Sequence, residues 1–284
     1  MLTVLEAIKL ATEYFEKKQI ESSRINAELL LADILKCRRL DLYLKFDQPL
    51  KEDEVNRYRE YIFRRGKYEP LQYITGSVEF FGLNLKVNPS VLIPRPETEI
   101  LVETILNHNK ESIGLSILDI GTGSGNISIT LAKFLQQSKV VSIDVSTESI
   151  NVAKENALLN QVNGNVEFVS KDIFEELLFD TLNFDIIVSN PPYVGNNEYP
   201  TLQKEIIEYE PRNAVTDEGD GLKFYKRISN VSKELLTEGG KLYFEIGKGQ
   251  SKDIYDIMNQ NRFSEIQIVK DYQNIDRVIY GTKI

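Results

Sequence analysis

The sequence predicts an α/β chain with a small helical domain, a β-hairpin linker and a larger domain built on a mostly parallel sheet. Residues 1–70 show helical periodicity with no strand-like run, and β-forming residues dominate 71–88. Beyond residue 89, apolar runs alternate with helical segments, a pattern typical of a parallel sheet covered by helices on both faces. At 284 residues the chain has room for two domains, so we expect them at 1–70 and 89–284.

Three amphipathic helices account for the predicted helical domain. The apolar stripe of the first comprises Leu5, Ile8, Ala11 and Phe15. A polar segment at 21–23 caps the second, whose stripe comprises Ala27, Leu30, Leu31, Ile34 and Leu35. A charge-rich third helix covers 51–65. These residues carry no cofactor motif, which suggests that the helical domain recognises the substrate.

Pro96 is predicted to begin the first helix of the larger domain. Proline suits the first helical position, where its missing N–H has no partner in any case. Glu97 and Glu99 then lie in the first turn, where the helix dipole favours negative charge. The preceding residues, 91–95, are predicted to be extended.

Seven strands are predicted in the larger domain, at 115–120, 140–143, 166–169, 184–188, 241–246, 265–269 and 277–280. The first five are separated by helical segments, which indicates parallel strands. The last two lie too close together for a helical crossover, so we expect one of them to run antiparallel.

A glycine-rich turn follows the first of these strands. It comprises Gly121, Thr122, Gly123, Ser124 and Gly125. Glycines let the backbone approach a ligand closely at the sheet edge where doubly wound folds bind nucleotides. Asp144 ends the second strand, the place for a carboxylate that accepts hydrogen bonds from ribose hydroxyls. The turn alone is a weak signal, but strand, turn, helix and acid together indicate a nucleotide site.

The predicted ligand of this site is not a dinucleotide cofactor with a pyrophosphate. The spacing is G-x-G-x-G, whereas dehydrogenases use G-x-G-x-x-G with a pyrophosphate over the helix N-terminus. Asp119 would repel a pyrophosphate but could face the ammonium group of a ligand with an amino acid tail. After the third strand, the Asp172 carboxylate and a backbone N–H at Ile173 are placed to hydrogen-bond the edge of an adenine. Alternatively, Asp172 is only the N-cap of a helix.

A second motif follows the fourth strand, and its residues are Asn190, Pro191, Pro192 and Tyr193. Two prolines fix φ and remove two backbone donors, so neighbouring carbonyl groups are not easily diverted into local hydrogen bonds. A side-chain carbonyl and a backbone carbonyl held in this way can accept both hydrogens of an NH2 group. Tyr193 offers an aromatic face to a planar group. The motif therefore predicts a site that presents an amide or arylamine nitrogen to a methyl donor.

The motif 190–193 resembles the signature of amino-group methyltransferases, and several other segments resemble the HemK/PrmC family of release factor glutamine methyltransferases. Those segments are 69–76, 92–99, 188–193, 210–212, 220–222, and Asp271 with Asp276 and Arg277. The resemblance covers almost the whole chain. It implies a seven-stranded Rossmann-like class I methyltransferase domain. For the helical domain, which is charge-neutral and has no cofactor motif, we expect recognition of the protein substrate.

The resemblance also implies roles for residues. S-adenosylmethionine would bind at Gly121, Thr122, Gly123, Ser124, Gly125, Asp144, Asp172, Ile173 and Asn190. The catalytic residues would be Asn190, Pro191 and Tyr193, and with Pro192 they would hold the glutamine of the Gly-Gly-Gln loop of peptide chain release factors. No metal ion is implied. Ile173 departs from relatives that carry an aromatic residue there, which predicts weaker stacking on the adenine.

Composition narrows the function classes further. The net charge is −9, and the first 80 residues carry equal numbers of acidic and basic side chains. Such a chain is not expected to bind nucleic acid directly. We expect a cytoplasmic protein without a membrane span, because no apolar stretch is long enough and there is one cysteine. One cysteine and one histidine cannot form a zinc cluster.

Three other functions are open. A DNA adenine N6-methyltransferase would share the chemistry of 190–193, but it must flip its base and would need a basic groove. A nucleotide-binding oxidoreductase would explain the glycine turn and leave 190–193 without a role. A non-catalytic binding module would have little use for both motifs.

Overall fold

The computed structural model describes residues 2–175 and 183–284. The chain divides into two compact units. The helical unit comprises Met1–Gly76 with Gln203–Tyr209, and the sheet unit comprises Ser77–Leu202 with Glu210–Ile284. The separate recognition role of the region 1–70, and its boundaries with 71–88 and 89–284, stay predictions.

In the described residues, the α-helices in chain order are α1 (Val4–Lys17), α2 (Ser23–Ile34), α3 (Glu52–Arg65), α4 (Leu71–Thr75), α5 (Pro96–His108), α6 (Asn126–Phe134), α7 (Thr147–Leu159), α8 (Lys204–Tyr209), α9 (Arg212–Val215), α10 (Lys223–Leu235) and α11 (Ser251–Gln260). The strands are β1 (Ser77–Phe80), β2 (Leu83–Lys86), β3 (Ser116–Ile120), β4 (Lys139–Asp144), β5 (Val166–Ser170), β6 (Phe184–Ser189), β7 (Leu236–Glu245), β8 (Phe263–Lys270) and β9 (Asp276–Lys283). Within the same described ranges, 3₁₀ helices cover Arg39–Lys45 and Tyr199–Thr201. No helix among the described residues is both long and apolar enough to cross a membrane.

The three helices predicted for the helical unit are present. Thr3 and Glu6 form a capping box at the start of α1, which satisfies two backbone N–H groups. The predicted stripe of α1 is buried except for Leu5, which is exposed. Val4 and Ala7 are buried instead, because with Ile8 they face the same side of a 3.6-residue repeat.

The predicted hairpin over 71–88 is wrong in its first part, where Leu71–Thr75 forms the short helix α4. Pro70 precedes this helix and its carbonyl accepts a hydrogen bond from Ile74 N (3.1 Å). Ile74 is buried in the core of the helical unit, so tertiary packing overrides its preference for strands. The hairpin itself is β1 and β2, paired antiparallel through a turn at Phe81 and Gly82, both with positive φ.

All seven predicted strands of the sheet unit are present, in the order β5-β4-β3-β6-β7-β9-β8. The first five pair in parallel, and β9 pairs antiparallel with both β7 and β8. The prediction of one antiparallel strand among the last two is therefore confirmed. One apolar cluster packs on each face of the sheet, with Ile117 in one and its neighbour Leu118 in the other.

The order reverses between β3 and β6, which makes this the topological switch point of the sheet. Ile120 and Ser189 are register partners there, and the Ser189 hydroxyl donates to the Ile120 carbonyl (2.7 Å). The chain segments after these two residues therefore leave the sheet side by side. They are the glycine turn and the motif at 190–193.

Gly125→Ala is expected to destabilise the protein by about 2–4 kcal/mol, from left-handed backbone strain and overpacking. Gly125 has φ of +82°, and a Cβ there would lie 2.7 Å from Ile129 Cδ1 and 3.2 Å from Ala153 Cβ. Gly239→Ala is the matched control, because Gly239 also has positive φ but nothing within 4 Å of its Cβ position. Urea unfolding measures both variants, and equal losses would refute the packing role of Gly125.

Candidate active site

A cleft of about 290 Å³ opens at the carboxyl ends of β3, β4, β5 and β6. Six of the predicted cofactor-binding residues line it, namely Gly121, Gly123, Asp144, Asp172, Ile173 and Asn190. They come from four neighbouring strand ends, so residues distant in sequence meet at one edge of the sheet. Pro191 and Pro192 line the same cleft.

The residues of the glycine turn divide into two groups. Gly121 and Gly123 line the cleft, and a Cβ on either would meet no atom within 4 Å. Side chains there would project into open space, so these two glycines keep the cleft clear. Thr122 and Ser124 have buried side chains, and Gly125 packs against α7. The predicted ligand contacts of these three residues stay a prediction, which their backbone groups would have to fulfil.

Asp119 does not face the cleft as expected, because its side chain is fully buried beneath the glycine turn. One carboxyl oxygen, Oδ2, accepts hydrogen bonds from Thr122 Oγ1 (2.8 Å) and Ser142 Oγ (2.9 Å). The other, Oδ1, has no partner in the described part of the chain. Burial raises the pKa of Asp119 to about 6, opposed by the hydroxyl hydrogen bonds. Asp119 thus anchors the turn from below.

Asp144 connects the glycine turn to the start of α7. Its Oδ2 accepts a hydrogen bond from Gly123 N and its Oδ1 accepts one from Ser146 N, both at 2.9 Å. Burial raises the pKa of this carboxyl group, against the effect of these N–H donors. Each carboxylate oxygen can accept a further hydrogen bond from a ligand hydroxyl.

The third strand end contributes Asp172 and Ile173. Asp172 Oδ1 accepts a hydrogen bond from Phe174 N (2.9 Å), so part of its role is local. A helix for Asp172 to cap would extend into 176–182, which lie outside the described residues. The sequence interpretation missed Phe174 and Phe224, which both line the cleft with ring centroids 5.3 Å apart. Phe174 follows the non-aromatic Ile173 directly, a signal that could have indicated it. Phe224 is brought in by α10, which local sequence does not reveal.

Asn190 is held by a threonine on α5. Its Nδ2 donates to Thr98 Oγ1 (3.2 Å), and Thr98 is buried. The side-chain oxygen Oδ1 is on the opposite side of the amide, so it is left for the cleft. Within residues 2–175 and 183–284, no donor reaches Asn190 Oδ1 or the Pro191 carbonyl oxygen. Two acceptors are therefore available beside the glycine turn.

Tyr193 does not line the cleft, in contrast to Asn190. Its side chain is half-buried and packs against the apolar cluster under α10 and α11. Burial raises its pKa, as does the negative charge of Glu245. Its backbone carbonyl accepts a hydrogen bond from Gln250 Nε2 (3.0 Å), which fixes the path of the loop. Its predicted stacking on a substrate stays a prediction.

Arg95 connects two of the family-like segments, 92–99 and 210–212. Its guanidinium forms an ion pair with Glu210, which is almost fully buried and also accepts a hydrogen bond from Ile93 N (3.3 Å). This ion pair fixes the segment that leads into α5, and hence the position of Thr98.

Comparison with known proteins gives matches along the chain. Residues 6–76 match the family described as PrmC N-terminal domain, and residues 111–273 match a methyltransferase domain. The chain is 43% identical to the release factor glutamine methyltransferase of Fusobacterium nucleatum subsp. nucleatum, over 98% of this chain and 78% of that protein. It is 39% identical to the enzyme of the same name from Geobacter sulfurreducens, over 98% of this chain and 96% of that protein.

Among solved structures, a methyltransferase from Pyrococcus furiosus superposes with a TM-score of 0.53 at 21% identity. It covers 72% of this chain and 90% of its own, which supports the fold alone. The predicted class I methyltransferase fold and the predicted family are confirmed. The chain belongs to the release factor glutamine methyltransferase family.

Proposed function

We propose that this chain transfers a methyl group from S-adenosylmethionine to the side-chain amide nitrogen (N5) of the glutamine in the Gly-Gly-Gln motif of peptide chain release factors. The observation that carries the proposal is the position of Asn190, with its free Oδ1 beside the glycine turn. The proposed place of action is the cytoplasm, on a protein substrate. A net charge of −9 supports a substrate other than nucleic acid.

The cleft has the features that S-adenosylmethionine requires. Gly121 and Gly123 leave room for a ligand at the switch point, and Asp144 has acceptor capacity for ribose hydroxyls. Asp172 and Ile173 would lie along the adenine, beside the ring of Phe174. Carboxylates along the cleft suit a ligand with a positive charge and without phosphate groups. When bound, the cofactor supplies a methyl group on an electrophilic sulfonium.

The protein's own contribution to the reaction is alignment. The carbonyl oxygens of Asn190 and Pro191 would accept the two N–H hydrogens of the substrate amide, which turns the nitrogen toward the glycine turn. An amide nitrogen is a weak nucleophile because its lone pair is delocalised, so orientation and exclusion of water matter more than a strong base. Positioning of this kind lowers a barrier by removing the entropy of a chance encounter.

The helical unit is proposed to recognise the release factor. Its match to a family-specific N-terminal domain supports this role. It also carries exposed apolar side chains on the 3₁₀ helix Arg39–Lys45, with Leu44 89% exposed. Single exposed apolar groups are common, but Leu40, Tyr43 and Leu44 are exposed together on this one helix, which suits a protein contact.

The direct test of the proposed function is mass spectrometry of release factor peptides after incubation with the protein and S-adenosylmethionine. The expected result is one added methyl group on the glutamine of the Gly-Gly-Gln peptide. Methylation of DNA adenine with an unmodified release factor would overturn the proposal.

Asp144→Ala is expected to weaken cofactor binding by about 1–3 kcal/mol, because hydroxyl groups of the ligand lose their acceptor. Asp144→Asn keeps one acceptor oxygen and should lose less. Calorimetric titration with S-adenosylmethionine gives both values. A dissociation constant for Asp144→Ala equal to that of the wild type would remove Asp144 from the binding site.

Asn190→Ala is expected to reduce the single-turnover rate of methylation far more than the affinity for cofactor, since its contact acts on the way to the transition state. Asn190→Asp keeps an acceptor oxygen and should retain measurable activity. The assay uses intact release factor with saturating cofactor. If Asn190→Ala methylates at nearly the wild-type rate, Asn190 is only a turn residue and the amide is held elsewhere.

Leu44→Glu is expected to lower kcat/KM on intact release factor several-fold and to leave kcat/KM on a short Gly-Gly-Gln peptide unchanged, because the helical unit is proposed to contact a part of the release factor that the peptide lacks. Ile113→Glu is the matched control, at a 63% exposed apolar position of the sheet unit. Steady-state kinetics on the two substrates compares them. Equal effects of Leu44→Glu on both substrates would contradict recognition through this surface.

A further inference from the structure

Glu245, at the carboxyl end of β7, is a buried acid next to the site. Strands β6 and β7 run parallel with Ser189 opposite Phe244, so Glu245 lies beside Asn190 on the neighbouring strand. Only 2% of the Glu245 side chain is exposed, and its Oε2 has no hydrogen-bond partner among the described residues. A buried carboxylate without full pairing costs free energy, and this one lies next to the proposed substrate site.

The hydroxyl of Thr98 and the amide of Asn190 lie near the Glu245 carboxylate and lower its pKa as hydrogen-bond donors. Burial raises the pKa of Glu245 to about 7, and these hydrogen bonds oppose that shift. Thr98 in turn accepts a hydrogen bond from Asn190 Nδ2 (3.2 Å). The three side chains form one network, which we call the Glu245 relay.

The direction of this relay follows from the chemistry of its members. An ionised carboxylate can only accept hydrogen bonds, and Thr98 already accepts one from Asn190 Nδ2, so the single hydroxyl hydrogen of Thr98 can be directed to Glu245 and not to Asn190. Thr98 can then only accept from Asn190, which must present its NH2 group. The carbonyl oxygen of Asn190 is thereby directed to the cleft.

We propose that Glu245 is a positioning residue that fixes the Asn190 amide, through Thr98, with its oxygen toward the substrate. This inference rests on the proposed function. When Glu245 is protonated, its hydroxyl can donate to Thr98, whose own hydrogen is then free to bond the Asn190 oxygen. The relay reverses, and the amide can turn its NH2 group toward the substrate, where it repels the substrate N–H groups.

The proposal predicts that the methylation rate depends on pH. Because the relay needs the ionised carboxylate, the methylation rate should rise as the pH passes through the pKa of Glu245, near neutrality. The charged and titratable groups that face Glu245 are Glu97 on α5, Arg277 on β9, Tyr193 in the loop after β6 and Tyr225 on α10. Burial raises the pKa of both tyrosines, so neither loses its proton in this range.

Asp119 is a second buried acid with a raised pKa, about 6, so the wild-type profile alone cannot assign the transition. Glu245→Gln shows which of the two acids causes the transition, because it removes the titrating group of Glu245 and keeps the side-chain shape. A glutamine can also donate to Thr98, so it no longer sets the direction of the relay. Thr98→Val removes the hydroxyl without changing the shape, and Thr98→Ser restores it.

The experiment measures single-turnover methylation of intact release factor across neutral pH, with saturating S-adenosylmethionine, together with calorimetric cofactor affinity. Above neutrality, Glu245→Gln and Thr98→Val should each be about tenfold to a hundredfold slower than wild type, the loss expected for one misdirected hydrogen bond. Glu245→Gln should lose the transition near neutrality, and Thr98→Ser should recover most of the rate. Cofactor affinity should not change in any variant.

The double variant Glu245→Gln with Thr98→Val should be no slower than either single variant, because both act on one relay. A wild-type rate and profile in Glu245→Gln would overturn the inference, as would parallel loss of rate and cofactor affinity in both variants, which indicates a merely structural role. If Glu245→Gln does not fold, the methylation rates of Thr98→Val and Thr98→Ser are compared instead. Equal rates for these two variants would overturn the inference. Failure of the wild-type protein to methylate glutamine would instead overturn the proposed function itself.

Discussion

The pairing of β3 with β6 is the constraint on which the site depends. Ile120 and Ser189 end these strands opposite each other, joined by the Ser189 hydroxyl bond to the Ile120 carbonyl. Because the strand order reverses here, the connections after β3 and β6 lead to opposite sides of the sheet, and the two turns border one crevice. One turn is suited to a cofactor and the other to a planar amide. Their adjacency is what allows group transfer between two bound molecules.

Buried carboxyl groups support both turns from within the protein. Asp119 holds the glycine turn from below, Asp144 joins it to α7, and Glu245 faces Asn190. Burial raises the pKa of all three, because it disfavours the charged form of a carboxyl group. Each of these carboxyl groups orients a neighbouring N–H or O–H donor. A site that works by alignment needs such fixed directions more than it needs an acid or a base.

Much of this organisation could be predicted from the sequence, because it is encoded in local patterns. The seven strands, the start of α5 at Pro96 and the meeting of the glycine turn with Asn190 follow from periodicity and from the rules of parallel sheets. The failures depend on tertiary contacts. Helix α4 forms from β-forming residues because Ile74 is buried against other helices, and Asp119 turns inward to two hydroxyls. The contact of Thr98 with Asn190 joins residues that no local pattern connects.

The central claim is that Asn190 and Pro191 hold the substrate amide by its two hydrogens. A crystal structure of the protein with S-adenosylhomocysteine and a Gly-Gly-Gln peptide tests it most directly. The account predicts the glutamine nitrogen within hydrogen-bond distance of both Asn190 Oδ1 and the Pro191 carbonyl oxygen, with Asn190 Nδ2 still on Thr98. A glutamine amide bound elsewhere in the cleft, or an Asn190 amide turned with its nitrogen toward the peptide, would contradict it.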